Sequence, residues 1–136
     1  MIPAAVGYVR ADSAEAAVAA LSEHGDEAKL LAGGQSLIPL MKLRLARPSV
    51  LVDLGRADEL RGISVDGDSV SIGALTSHST LEHSADLVEA CPLLAHVASQ
   101  VGDPAVRHRG TLGGSLAHAD PASDLPAAVL ALGGTL

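Results

Sequence analysis

The spacing of apolar residues changes several times along this chain, and each change marks an element. Ala14, Ala17, Val18 and Leu21 share one face at helical spacing, and Gly25 supplies a stop near His24. Asp12 followed by Glu15 reads as a variant of the capping box that opens this helix. Residues 28–32 (AKLLA) form a short apolar run that ends at Gly33-Gly34, which predicts a buried strand. Residues 36–46 (SLIPLMKLRLA) predict a helix capped by Ser36, with Pro39 in its first turn, where a missing N–H has no intrahelical partner to lose. Pro48 closes it, and residues 50–54 (VLVDL) predict a second strand.

Beyond Gly62 the period becomes two. Ile63 and Val65, then Val70 and Ile72, alternate around Asp66-Gly67-Asp68, the pattern of a hairpin. Residues 76–102 return to helical segments, with Pro92 at a helix start and Gly102 at a stop. The switch near residues 55–62 predicts two subdomains, 1–57 and 58–136, with one Gly-Gly segment in each. The final AAVLALGGTL reads as a helix, a glycine break and the beginning of a further strand, as in a chain cut part-way through its fold.

Composition narrows the function. Hydrophobic residues make up 48% and charged ones 18%, the balance of a globular chain. Tyr8 is the only aromatic residue, so platforms for stacking bases are lacking, and sixteen acidic against nine basic residues oppose a phosphate-backbone footprint. Nucleic acid is excluded as an expected partner. The single Cys91 allows no internal disulfide and no cysteine cluster for zinc or iron–sulfur. The start lacks a basic region followed by an apolar one, and no apolar run approaches a membrane span of roughly 18–20 residues. The expectation is a cytoplasmic protein. His108, His118 and Asp120 match no helical metal-ligand spacing, so no metal site is expected, and no nucleophile–base pair predicts a catalytic residue.

Two segments carry chemistry. The first is Ala32, Gly33, Gly34, Gln35 and Ser36; the second is Thr111, Leu112, Gly113, Gly114 and Ser115, followed by Asp124. In the first, paired glycines let a ligand approach the peptide plane, and the helix start that follows directs free N–H groups outward, a combination suited to a phosphate. The second offers two hydroxyls beside open backbone, and a carboxylate that can accept from sugar hydroxyls. Taken alone, each segment is also an ordinary glycine turn. Neither is a dinucleotide-binding G-x-G-x-x-G or a P-loop. Arg107 and Arg109, beside the second segment, read equally well as phosphate ligands or as surface ion pairs.

AGGQSLIPLMKLRLARPSVLVDL and RGTLGGSLAHADPASDLPA closely resemble the two flavin-binding signatures of the FAD-binding (medium) subunit of molybdenum hydroxylases, the family of aerobic carbon monoxide dehydrogenases and xanthine dehydrogenases. The resemblance runs the length of the chain and implies an α+β fold of the PCMH or vanillyl-alcohol-oxidase FAD-binding type, its second subdomain cut short at Leu136. It implies that Ala32 through Ser36 wrap the FAD pyrophosphate through backbone amides. Thr111 through Ser115 would form a second wall, and Asp124 would hold a hydroxyl of the FAD chain. Ser115 departs from the family, where asparagine is frequent. The implied role is electron relay, from substrate oxidised at molybdopterin on a large partner subunit, through [2Fe–2S] clusters on a small one, to FAD and an external acceptor. The assembly would be a heterotrimer or a dimer of heterotrimers. A stand-alone FAD-dependent oxidase or dehydrogenase of the same fold, or a truncated non-functional fragment, are the alternatives.

Overall fold

The computed structural model describes residues 2–136, and the chain divides between Leu60 and Arg61 into two compact units. The first unit is built on three parallel strands, β1 (Gly7–Arg10), β2 (Ala28–Leu31) and β3 (Val50–Asp53), in the order β1-β3-β2. Gly7 and Ala28 both register with Val50, so β3 is paired on each side and β1 and β2 are paired on one. Its Leu51 and Val52 are accordingly buried. β1 is absent from the sequence expectations, because GYVR is four residues without alternation and becomes a strand only by pairing with β3.

Helix α1 (Ala14–His24) covers the sheet with Ala17 and Ala20, small side chains that allow close approach. Its cap is Ser13, not Asp12: Ser13 is extended (φ −150°, ψ 165°), and its hydroxyl accepts from the Ala16 N–H at 3.1 Å. The Ala14 N–H, another orphan of the first turn, donates to Glu59 Oε1 at 2.7 Å. Helix α2 (Leu37–Lys42) buries Met41 and stops short of the expected Ala46. Arg44 adopts φ 59°, its N–H donates to Met41 O at 3.0 Å, and the Leu45 N–H donates to Leu40 O at 2.9 Å. This is a Schellman closure with arginine at the left-handed position that glycine usually fills.

The second unit begins with the expected hairpin, β4 (Ile63–Asp66) against β5 (Ser69–Ile72), turned through Gly67 at φ 55°. Six helices follow: α3 (His78–His83), α4 (Ala85–Ala90), α5 (Pro92–Gln100), α6 (Pro104–Arg109), α7 (Leu112–His118) and α8 (Asp124–Ala131). Ser77 caps α3, Ser84 caps α4 and Asp103 caps α6, each through a side-chain oxygen; Pro92 and Pro104 open α5 and α6. Leu81, Leu87 and Leu125 are fully buried among these helices, each contributing about 1.5–3 kcal/mol. After α8, Gly133 turns at φ 66° and residues 132–136 form no strand, unlike the strand expected there.

Candidate functional site

The first glycine segment lies between the end of β2 and the start of α2. Ile38 is the first residue after β2 whose N–H has a backbone acceptor, Gly34 O at 3.0 Å. Among the described residues, the backbone N–H groups of Ala32, Gly33, Gly34, Gln35, Ser36 and Leu37 have no hydrogen-bond acceptor. Backbone donors removed from water are nearly always satisfied within the protein, so six successive donors without protein partners must stay open to solvent or a ligand. Here they are half-buried or exposed.

Gly34 sets the turn at φ 74°, and a Cβ there would come within 3.0 Å of Ile38 Cγ1 and 3.2 Å of Leu31 Cδ1. The expected Ser36 cap is not formed. Ser36 already has helical torsions (φ −100°, ψ −49°), which turn its hydroxyl away from the N–H groups it would cap. The hydroxyl is therefore left over, beside the free amides. Anionic oxygens are the natural complement of this donor set, and a pyrophosphate has enough of them to take several donors. The segment fits the phosphate part of a dinucleotide cofactor.

The second segment is built differently. Residues 111–115 are not an open loop but the cap and first turn of α7, and the N–H groups of residues 112–115 already have acceptors. Leu112 N–H donates to Thr76 O (3.0 Å), Gly113 N–H to Ala74 O (2.9 Å) and Ser115 N–H to Thr111 O (3.1 Å). The Gly114 N–H donates to the capping Thr111 Oγ1 at 3.2 Å. Gly113 is glycine because of protein, not ligand: a Cβ there would sit 2.6 Å from Ala74 Cβ and 2.8 Å from Ala74 O. What this turn still presents is the half-buried Ser115 side chain, with Oγ 3.4 Å from Nε2 of His78.

Asp124 is exposed at the first turn of α8, and no hydrogen bond or ion pair engages it among the described residues. The open reading of Arg107 closes in favour of an ion pair. Its Nε donates to Glu82 Oε2 at 2.8 Å and its Nη1 reaches Val101 O at 3.3 Å. A cleft of about 470 Å³ in the second unit is walled by Val70, Ile72, Cys91, Leu94 and Leu112, with Gly113 at its edge. Neither Ser115 nor Asp124 lines it.

Comparison with known proteins gives the family and the fold. Residues 4–136 match the family described as FAD binding domain in molybdopterin dehydrogenase. The chain is 47% identical over 132 residues to the 6-hydroxypseudooxynicotine dehydrogenase complex subunit alpha of Paenarthrobacter nicotinovorans, covering 97% of this chain and 45% of that one. It is 48% identical over 132 residues to the carbon monoxide dehydrogenase medium chain of Hydrogenophaga pseudoflava, covering 97% and 46%. A solved structure of carbon monoxide dehydrogenase from that organism superposes with a TM-score of 0.91 at 50% identity, over 93% of this chain and 44% of that one. Quinoline 2-oxidoreductase from Pseudomonas putida 86 superposes with a TM-score of 0.89 at 40% identity, over 93% and 44%. The chain thus spans a little under half the length of these relatives. The expected α+β FAD-binding fold is the fold of this chain, and the chain belongs to the family of FAD-binding domains of molybdopterin dehydrogenases.

Proposed function

We propose that this chain is the FAD-holding portion of an electron-transfer subunit in a molybdenum-containing hydroxylase or dehydrogenase. The run of six partnerless N–H groups from Ala32 to Leu37 carries the reading. Those of Ala32, Gly33, Gly34, Gln35 and Ser36 bind the FAD pyrophosphate, and the Ser36 hydroxyl adds a donor beside them. In the second unit the contribution passes from backbone to side chains. Ser115 and Asp124 meet the cofactor, while Thr111, Leu112, Gly113 and Gly114 hold the turn that presents Ser115.

The chemistry that FAD supplies when bound is redox: electrons received from [2Fe–2S] clusters of a small subunit and passed to an external acceptor. This chain's own residues bind and orient; none is required as an acid or base. A large molybdopterin-binding subunit would carry substrate oxidation. Relatives whose names describe a "complex subunit" or a "medium chain" support such an assembly. No helix among the described residues is long and apolar enough to cross a membrane.

Anchoring through the pyrophosphate makes a specific demand on affinity. In a titration followed by flavin fluorescence, FAD should bind at least about tenfold more tightly than FMN, some 1.4 kcal/mol, and FMN more tightly than riboflavin. Equal affinities for the three would remove the assignment of residues 32–36, and failure to bind any of them would remove the proposal.

A further inference from the structure

His78 is a buried imidazole that the contacts above leave without a role. It is 3% exposed, opens α3, and its backbone N–H donates to Gly110 O at 3.0 Å. Gly110 makes room for the ring, since a Cβ there would lie 2.7 Å from both Cδ2 and Nε2. Nε2 faces Ser115 Oγ at 3.4 Å, whereas Nδ1 is buried with no hydrogen-bond partner. Burial pushes the His78 pKa below its ordinary value, so the ring is neutral and carries one N–H. A buried N–H without an acceptor is rarer than an under-satisfied acceptor. The proton therefore belongs on Nε2, and the orphan at Nδ1 is a bare lone pair.

We infer that His78 is a positioning residue for the cofactor: its Nε2–H donates to Ser115 Oγ and so leaves the Ser115 hydroxyl proton to donate to an acceptor atom of FAD. No other side-chain hydrogen bond engages this hydroxyl among the described residues. A serine hydroxyl has one proton, and with the imidazole occupying an oxygen lone pair that proton is free. The opposite tautomer would spend the proton on His78 and leave Ser115 only lone pairs, which recognise a donor such as a sugar hydroxyl. The inference rests on the proposed function through Ser115, but its first half concerns protein atoms alone.

Two measurements on the full chain test it. Long-range proton–nitrogen correlation spectra of histidine-labelled protein should show His78 as the neutral Nε2–H tautomer; the Nδ1–H tautomer or an imidazolium near neutral pH overturns the inference. FAD titrations of variants supply the second. Ser115→Ala and His78→Leu should each weaken binding about five- to tenfold, and the double variant no more than either alone. His78→Gln, whose amide nitrogen reaches the Nε2 position, should restore affinity to within about twofold of the parent. His78→Asn, which reaches only the Nδ1 position, should not. A thermal unfolding scan of each variant separates lost positioning from lost fold: Gln and Asn variants of equal stability but equal affinity overturn the inference. If the parent chain binds no FAD, the proposed function fails and the acceptor assignment fails with it, while the tautomer still decides the link from His78 to Ser115.

Discussion

Gly33-Gly34 and Gly113-Gly114 are the same dipeptide put to opposite uses. Around the first, the backbone N–H groups from Ala32 to Leu37 are left without acceptors, and Gly34 stands at φ 74°. Around the second, the N–H groups of Leu112, Gly113, Gly114 and Ser115 all have acceptors inside the protein, and Gly113 is pressed against Ala74. One pair leaves its neighbouring donors open; the other closes a helix onto its neighbour. A glycine pair reports only that a Cβ is unwelcome, and the neighbouring atoms decide why.

The contrast can be broken first at Gly113. Gly113→Ala forces a Cβ into the Ala74 backbone, which a flexible side chain cannot relieve, and should cost about 3 kcal/mol in chemical denaturation. A loss under about 0.5 kcal/mol would show that the close contact is not what requires glycine. Gly34→Ala should be milder for the fold, about 1–2 kcal/mol for a left-handed residue, yet its loss of FAD affinity should exceed what unfolding explains. In Gly113→Ala any loss of FAD should instead track the unfolded fraction. Finer still is the comparison of caps. Thr111→Val removes the acceptor of the Gly114 N–H and should cost about 1 kcal/mol of thermal stability, whereas Ser36→Ala, with no cap to lose, should change stability by less than about 0.3 kcal/mol. Arg44→Gly, at φ 59°, should raise stability by about 0.5–1 kcal/mol, because glycine takes that conformation without strain.

The slightest effect is that of pH on the second unit. His78 has its pKa lowered by burial from the ordinary 6.5, so the unfolded chain binds the proton more readily than the folded one. Its contribution is fully present above that ordinary value and is lost as pH falls through it toward the folded value. Unfolding midpoints measured from pH 7.5 to 5 should fall more steeply for the parent chain than for His78→Gln. The Glu82–Arg107 ion pair between α3 and α6 is common to both chains and cancels in that comparison.

The sequence made some features legible and hid others for identifiable reasons. α1, β2, β3 and the β4–β5 hairpin are carried by local periodicity, which needs no knowledge of neighbours. β1 carries no local signal, because what makes Gly7–Arg10 a strand is Val50–Asp53, far along the chain. The expected open backbone of the second glycine segment fails for the same kind of reason: its composition is that of a turn, but Thr76 and Ala74 accept from Leu112 and Gly113. Ser13 displaced Asp12 as the cap of α1, and the partner of the next N–H, Glu59, could not have been named from spacing. At the candidate site, the resemblance named both segments and the amides of the first, but gave no sign that the amides of residues 112–115 already have acceptors inside the protein. Nothing local announces His78 as a buried ring, because the space it fills is left by Gly110.

The strand order β1-β3-β2 carries a consequence for how the protein is made. Both outer strands depend on the central one, which is the last of the three to be synthesised. A chain emerging from the ribosome holds β1 and β2 as unpaired segments until Val50–Asp53 has cleared the exit tunnel. The glycine turn between β2 and α2 therefore takes shape only after residues well downstream of it have been made. Its parallel pairings are long-range contacts of the slow-forming kind. Closure of that turn is thus a late event in the life of the nascent chain, timed by a strand that contributes no atom to it.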